Sequence, residues 1–445
     1  MAPQPSNRTE PETETMADTS ANGVSFAPAP AHRTGLVTAD GRPLRSALAR
    51  SSRRARRRAF FLVLPLLLFV LITFVVPIGQ MLQRSVKNEG FSANMPQLSA
   101  WFHDNPRGTE PDDAAWAALA ADLTAAAQAR TIGVVGTRIN YDMPGTRSLF
   151  TSAGRQARGG IEPPYREAIL EMDARWGNPR LWSVMREAAS PYTANFYLAA
   201  VDRTRDDQGD IVSAPAQQQI YGKLFLRTFW LSLAITATTF LLGFPVAHLL
   251  ATLPMRQSNL LMILVLLPFW TSLLVRTTAW IVLLQQQGVV NDVLVWLGVI
   301  GNNQRLQMIF NQTGTIIAMT HILLPFMILP LYSVMRTINP SYVRAARSLG
   351  ATSWTAFRRI YFPQTLPGLG AGALLVFILA VGYYITPALV GGSSGQLISN
   401  MIAMHMTQTL NWSMAAALAA LLLGGVLILY WVYDRLVGID NLKLG

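Results

Sequence analysis

The 445-residue chain contains no cysteine, which excludes a disulfide framework, thiolate catalysis and cysteine metal sites. Its five histidines, at positions 32, 103, 248, 321 and 405, show no ligand spacing, so no bound metal is expected. Charge is scarce as well: 13% of residues are charged against 51% hydrophobic, too apolar for a soluble protein of this length. Carboxylates are scarcest, since between Asp210 and Asp434 the only acidic residue is Asp292. A proton-coupled carrier runs on Asp, Glu or His relays inside its helices, so this near absence argues against the rival reading of a self-sufficient secondary carrier. No G-x-x-x-x-G-K-[ST] occurs, and the pair Gly222-Lys223 lacks the rest of a phosphate-cradling loop. Nothing in the chain would hydrolyse ATP, and no cofactor is expected on it.

What is present is a series of long apolar runs, and with them an all-α membrane protein. Residues 1–52, rich in Pro, Thr, Ser and Ala, read as a disordered tail. Arg53, Arg54, Arg56, Arg57 and Arg58 then precede an apolar run over 59–82, giving a first membrane helix, 53–82, with its arginine end in the cytoplasm. Residues 83–222 are charged and contain no spanning segment, so they form a large extracytoplasmic insert, with helices predicted over 112–129 and 163–176. The insert is either a cap that meets a substrate-delivery protein or a loop expansion with only a packing role. Apolar runs recur at about 224–251, 259–284, 314–335, 368–390 and 413–433, within a five-helix core spanning 223–435. Six spans put both termini, including the tail 436–445, in the cytoplasm. The net charge of +12 would suit nucleic acid, but much of it flanks apolar spans, so membrane lipid and orientation explain it and no nucleic acid is expected.

A polar island at 339–363 interrupts this pattern. Asn339 can cap a helix beginning at Pro340, and Gly350 supplies the left-handed residue that ends it. A second helix starts from Thr352 and is predicted to stop before Pro363, with Trp354, Phe357, Ile360 and Tyr361 on one apolar face. The island falls on the cytoplasmic side, where Arg336, Arg344, Arg347, Arg358 and Arg359 obey the charge rule.

This stretch resembles the cytoplasmic loop of inner-membrane permeases of binding-protein-dependent ABC importers, E-A-A-x-x-x-G, nine residues, then I-x-L-P. Ala345, Ala346, Gly350, Ile360 and Pro363 fall on the pattern, with Arg344 in place of Glu and Phe362 in place of Leu. Over 223–433, Leu226-Arg227-Thr228, Gly243-Phe244-Pro245-Val246-Ala247, the run from Pro268 to Arg276, Leu323-Leu324-Pro325-Phe326-Met327 and the run from Thr386 to Gly392 are similar to the spermidine/putrescine branch. That branch also takes opines, aminophosphonates and other small charged solutes. The resemblance implies a MetI-like fold in the inner membrane, import by alternating access, and a chain without catalysis of its own. It implies ATPase subunits that carry ATP and Mg and dock on Arg344, Ala345, Ala346, Gly350, Trp354, Phe357, Ile360 and Pro363. It further implies an extracytoplasmic solute-binding protein and a second permease subunit, expected to be a different chain because Arg344 breaks the Glu position.

Candidates for the translocation path come from the residues themselves. Arg276 is the one charge well inside a span, and it would bind an anionic group of the solute, hold a helix end through backbone carbonyls, or snorkel to the interface. Trp270, Tyr383 and Tyr384 offer aromatic faces to a cation, or serve as interface anchors. His248 and His321 are either hydrogen-bonded packing residues or ligands, and Gly368 with Gly372 forms a small-xxx-small pair suited to close helix approach.

Overall fold

The computed structural model describes residues 44–206 and 208–437; of the expected tails, 1–52 and 436–445, only 44–52 and 436–437 lie within the described residues, and both are helical, so the first helix begins ahead of the expected boundary at 53. The fold is almost wholly helical. The strands among the described residues are one antiparallel pair, Arg203–Arg205 with Ile211–Ser213.

Two units can be distinguished, Met1–Phe74 and Val75–Gly445. The first contributes α1 (Leu44–Val70), basic in its first half and, from residue 59 on, apolar on every face, with Phe60, Phe61, Leu62, Leu66 and Phe69 all exposed and suited to lipid. The second opens with α2 (Val76–Arg84), followed by the insert. Together Ala55–Arg84 is long and apolar enough to cross a membrane.

The insert is a helical bundle with its own core of Phe91, Leu98, Leu119, Leu123, Ile139, Phe150 and Trp176. Trp182 meets Trp101, Phe102 and Trp116 edge to face, with centroids 5.0 to 6.4 Å apart. Asp112 caps the helix Asp113–Gln128 by accepting from Ala115 N at 2.9 Å. On that helix the buried Asp122 accepts from Leu98 N (2.8 Å) and Gln97 N (3.3 Å), satisfying the head of Pro96–Asp104. The single helix expected over 163–176 is instead Tyr165–Met172 and a 3₁₀ turn, Ala174–Gly177, separated where Asp173 turns its carboxylate onto Arg175 N. The insert is tied to the membrane core at Asp202, whose two oxygens accept from Tyr221 N (3.0 Å) and Gly222 N (2.8 Å) at the head of α3 (Tyr221–Thr252).

The core continues through α4 (Met255–Leu266), α5 (Leu273–Leu284), α6 (Gln312–Thr337), α7 (Pro340–Ser348), α8 (Ser353–Gly382), α9 (Ile385–Val390), α10 (Ile398–Thr407) and α11 (Trp412–Val437). α3, α6, α8 and α11 contain span-length apolar stretches, and the run expected at 259–284 is not straight: Met255–Trp270 and Leu273–Trp296 meet at 97°. Pro268 lacks a donor and clashes with the preceding turn, while Thr271 Oγ1 donates to the Pro268 carbonyl at 2.9 Å. Apolar length alone could not show that bend. The run expected at 368–390 also breaks, between α8 and α9 at Tyr383-Tyr384. The bundle centre is where Ile235, Ala247 and Leu250 of α3 meet Ile322, Leu323, Met327 and Leu331 of α6 and Val376 and Ala380 of α8. α8 lies so close to α6 that a Cβ on Gly368 would stand 2.9 Å from the Pro330 oxygen, and one on Gly372 3.0 Å from Met327 Sδ.

Candidate functional site

The polar island is a helical hairpin built from local signals. Asn339 Oδ1 accepts from Ser341 N at 3.0 Å, Pro340 opens α7, and Gly350 closes it at φ +90°. Ala351 N donates to Ala346 O (3.1 Å) and Gly350 N to Arg347 O (3.0 Å), the paired bonds of a Schellman motif. A Cβ on Gly350 would meet nothing within 4 Å, so the requirement for glycine there is one of backbone conformation. Thr352 Oγ1 then accepts from Thr355 N at 3.2 Å and starts α8.

The second helix does not stop before Pro363, as its sequence predicts. It runs on through a π turn, Phe357–Tyr361, into the spanning part of α8. Phe362 N donates to Phe357 O, five residues back, and Gln364 Nε2 reaches the Ile360 carbonyl at 2.7 Å. The wider turn and this side-chain donor carry the helix past a proline whose missing N–H would otherwise end it. Hairpin and span are thus one continuous element.

The hairpin has two dissimilar sides. Tyr342, Arg344, Ala345, Leu349, Trp354 and Pro363 are exposed, Leu349 at 90% and Trp354 at 68%, whereas Ala346 and Ile360 are half-buried. On the inner side Phe357 stacks on Tyr361 (5.9 Å), and the exposed Trp354 covers Phe357 from outside (5.7 Å). Phe357 meets Phe244 edge-on at 6.1 Å, and Tyr361 OH is 3.0 Å from His248 Nδ1, so the hairpin is wired to α3. His248 therefore has a hydrogen-bonded packing role. Beside it Arg336 Nη1 donates to Ala251 O at 2.8 Å, a cation on the last turn of α3.

A second constellation forms where the two broken spans meet. α5 packs on α9, and Thr277 and Thr386 lie 3.4 Å apart across that contact. Arg276 stands half-buried in the first turn of α5, with its Nε enclosed. His321, nine residues into α6 and so about 14 Å along it, accepts from Trp280 Nε1 at Nδ1 (3.1 Å). The unwound carbonyls of Tyr383 and Tyr384 are taken by Ser399 Oγ (2.6 Å) and Asn400 Nδ2 (2.7 Å). Arg276 thus follows the first break, and Tyr383 and Tyr384 form the second. Trp270, 74% exposed at the bend, makes no ring contact of its own; its neighbour Phe269 packs on Phe326 instead.

Sequence reasoning passed over Thr277, Trp280, Thr386, Ser399 and Asn400. Small polar residues on apolar spans are the signal that marks most of them, but only the meeting of the two breaks gives them partners.

Residues 240–437 match the family model described as binding-protein-dependent transport system inner membrane component, which leaves the insert outside the match. The chain is 36% identical over 221 residues to the spermidine/putrescine transport system permease protein PotB of Escherichia coli (strain K12), covering 49% of this chain and 80% of that one. It is 32% identical over 258 residues to the protein of the same name from Haemophilus influenzae, covering 56% and 90%. Among solved structures, a bacterial ABC transporter involved in the import of the acidic polysaccharide alginate aligns at TM-score 0.40 and 19% identity, over 50% of this chain and 80% of that one.

Proposed function

The chain belongs to the binding-protein-dependent transport system inner membrane component family, the non-catalytic permease subunits of ABC importers, and from that premise we propose that it moves a small charged, polyamine-like solute by alternating access. The names of its relatives support the solute class. ATPase subunits dock on the α7–α8 hairpin in the cytoplasm, where closure of the ATPase pair pushes on an element continuous with a span. A solute-binding protein delivers cargo at the opposite face, toward which the insert projects, and a second, different permease chain completes the pathway. Arginine content supports this orientation, since the hairpin carries Arg344, Arg347, Arg358 and Arg359 as the positive-inside rule asks of a cytoplasmic loop.

The observation that carries the reading is the two-sidedness of the hairpin. Exposed Tyr342, Leu349 and Trp354 offer apolar surface to a partner, while Phe357 and Tyr361 lock the inner side to Phe244 and His248. Co-expression with the ATPase and the second permease tests it. Trp354→Ala should leave membrane abundance unchanged and lower ATPase co-purification at least tenfold; unaltered co-purification would remove the docking assignment. A functional complex containing this permease alone would refute the heteromeric pairing.

A further inference from the structure

The insert meets the head of the last span, α11, across a crevice of about 400 Å³, walled by residues 87–90 and the insert helix Ile132–Asp142 on one side and by residues 410–413 on the other. The α11 wall is made of donors. Asn411 is 7% exposed and caps the helix, its Oδ1 accepting from Met414 N at 3.0 Å, which leaves its Nδ2 as a donor without a partner on the crevice wall. Trp412 N and Ser413 N, in the first turn, likewise have no acceptor among the described residues. Three unspent N–H groups thus stand on consecutive residues, at the positive end of the dipole of a 26-residue helix.

The insert wall carries charge held in place. Arg138, 5% exposed, donates to Asn88 Oδ1 and, at 2.7 Å, to Asp142 Oδ2; its guanidinium lies 5.2 Å from the centre of the Phe196 ring, and its Nη2 is enclosed without a partner. The carboxylates nearby are already engaged, Asp142 by Arg138, Glu89 by Lys87 at 2.9 Å and Glu187 by Arg107 at 2.6 Å. An adjoining cavity of about 660 Å³ shares Tyr141, Phe196 and Asn411 with the crevice and adds Arg147 and Arg203, which have no ion pair among the described residues. Water satisfies an open helix head. Here the capping residue is itself nine-tenths buried, and what surrounds it is donors and cations with no free carboxylate to oppose an anion.

We propose that this crevice binds a phosphate group and that the bound phosphate joins the insert to the membrane core. Asn411 Nδ2, Trp412 N and Ser413 N are the contacting donors, as converging N–H groups at a helix head suit a tetrahedral oxyanion, while Arg138 supplies charge from behind the opposite wall. α11 contains a span, so its head lies at the membrane surface, where phospholipid phosphates stand; exposed Leu410 and Trp412 beside the crevice offer an apolar edge to acyl chains. A soluble phosphate compound has the same chemistry, and the experiment separates the two sources. The site is independent of the importer reading.

The test uses the full chain purified in detergent and stripped of lipid, with hydrogen exchange followed by mass spectrometry over 411–414 and 133–141. Inorganic phosphate and dihexanoyl phosphatidylglycerol are compared with dihexanoylglycerol, which has the acyl chains without the phosphate. A phosphate-bearing probe at saturation should slow exchange over 411–414 at least about fivefold and protect 133–141 with it. Protection by the phospholipid alone supports a membrane source, and protection by inorganic phosphate as well supports a soluble one. Asn411→Asp keeps an oxygen on Met414 N, so α11 stays capped, but puts a carboxylate where the donor stood and should abolish the effect. Trp412→Pro removes one amide at the first helical position, where proline is accepted, and should weaken it severalfold. No protection by either phosphate probe, equal protection by dihexanoylglycerol, or undiminished protection in both variants would overturn the proposal.

Discussion

Tyr361 OH lies 3.0 Å from His248 Nδ1, joining the π turn of the α7–α8 hairpin to the last turns of α3. Interhelical hydrogen bonds of this kind in membranes average only about 0.6 kcal/mol. Tyr361→Phe should therefore leave membrane abundance and detergent-purified stability nearly unchanged. If the bond transmits hairpin motion to α3, solute moved per ATP should fall severalfold, read by paired uptake and ATPase assays in proteoliposomes. Unchanged stoichiometry would reduce the bond to a packing detail.

The α6–α8 contact leaves no room for side-chain growth. At Gly368 an added Cβ stands 2.9 Å from both the Pro330 oxygen and Val334 Cβ. Gly368→Val should destabilise the core by about 1–3 kcal/mol, the range for overpacking, with lowered abundance and an earlier thermal unfolding midpoint. Gly424→Ala on α11, where a Cβ meets nothing within 4 Å, is the control and should be neutral or stabilising.

Asp202 holds the insert to the core by accepting both Tyr221 N and Gly222 N. Asp202→Ala should cost about 1 kcal/mol, in line with loss of a helix cap, and should also strain a backbone at φ +58°. Hydrogen exchange at 221–223 should rise well above wild type, and Asp202→Asn, which keeps one acceptor and tolerates that conformation, should lie between them.

Burial pushes the Asp122 carboxyl up, against the amide hydrogen bonds from Leu98 and Gln97 that pull it down. A carboxyl raised on folding keeps its proton where the unfolded chain has lost it, so its contribution to stability is fully present below about pH 4 and is lost as pH rises to the folded value. Wild type should therefore gain stability relative to Asp122→Asn as pH falls from neutrality toward about 4, followed by tryptophan fluorescence during chemical unfolding. A gap independent of pH would contradict the assignment.

The hairpin was legible because its signals are local: Asn339, Pro340, Gly350 and Thr352 each act within one turn of backbone, and each does what its chemistry predicts. The failures came where local rules met longer structure. Pro363 reads as a stop, but a π turn and the Gln364 side chain carry the helix through it. The bend at Pro268 and the break at Tyr383-Tyr384 were hidden because apolar length counts residues without showing direction. For the same reason Arg276 could be singled out from the sequence, while Thr277, Thr386 and Asn400 at the breaks could not; their partners lie on other segments of the chain.

The coupling role proposed for the hairpin rests most directly on Gly350, where φ is +90° and no neighbour crowds the site. A β-branched residue there is disfavoured by at least about 1–2 kcal/mol on backbone grounds alone, whereas asparagine tolerates positive φ far better. The decisive measurement is ATPase co-purification and uptake for Gly350→Val and Gly350→Asn at equal membrane abundance. The account predicts that valine abolishes both while asparagine retains much of each. Wild-type co-purification and uptake with valine would contradict it.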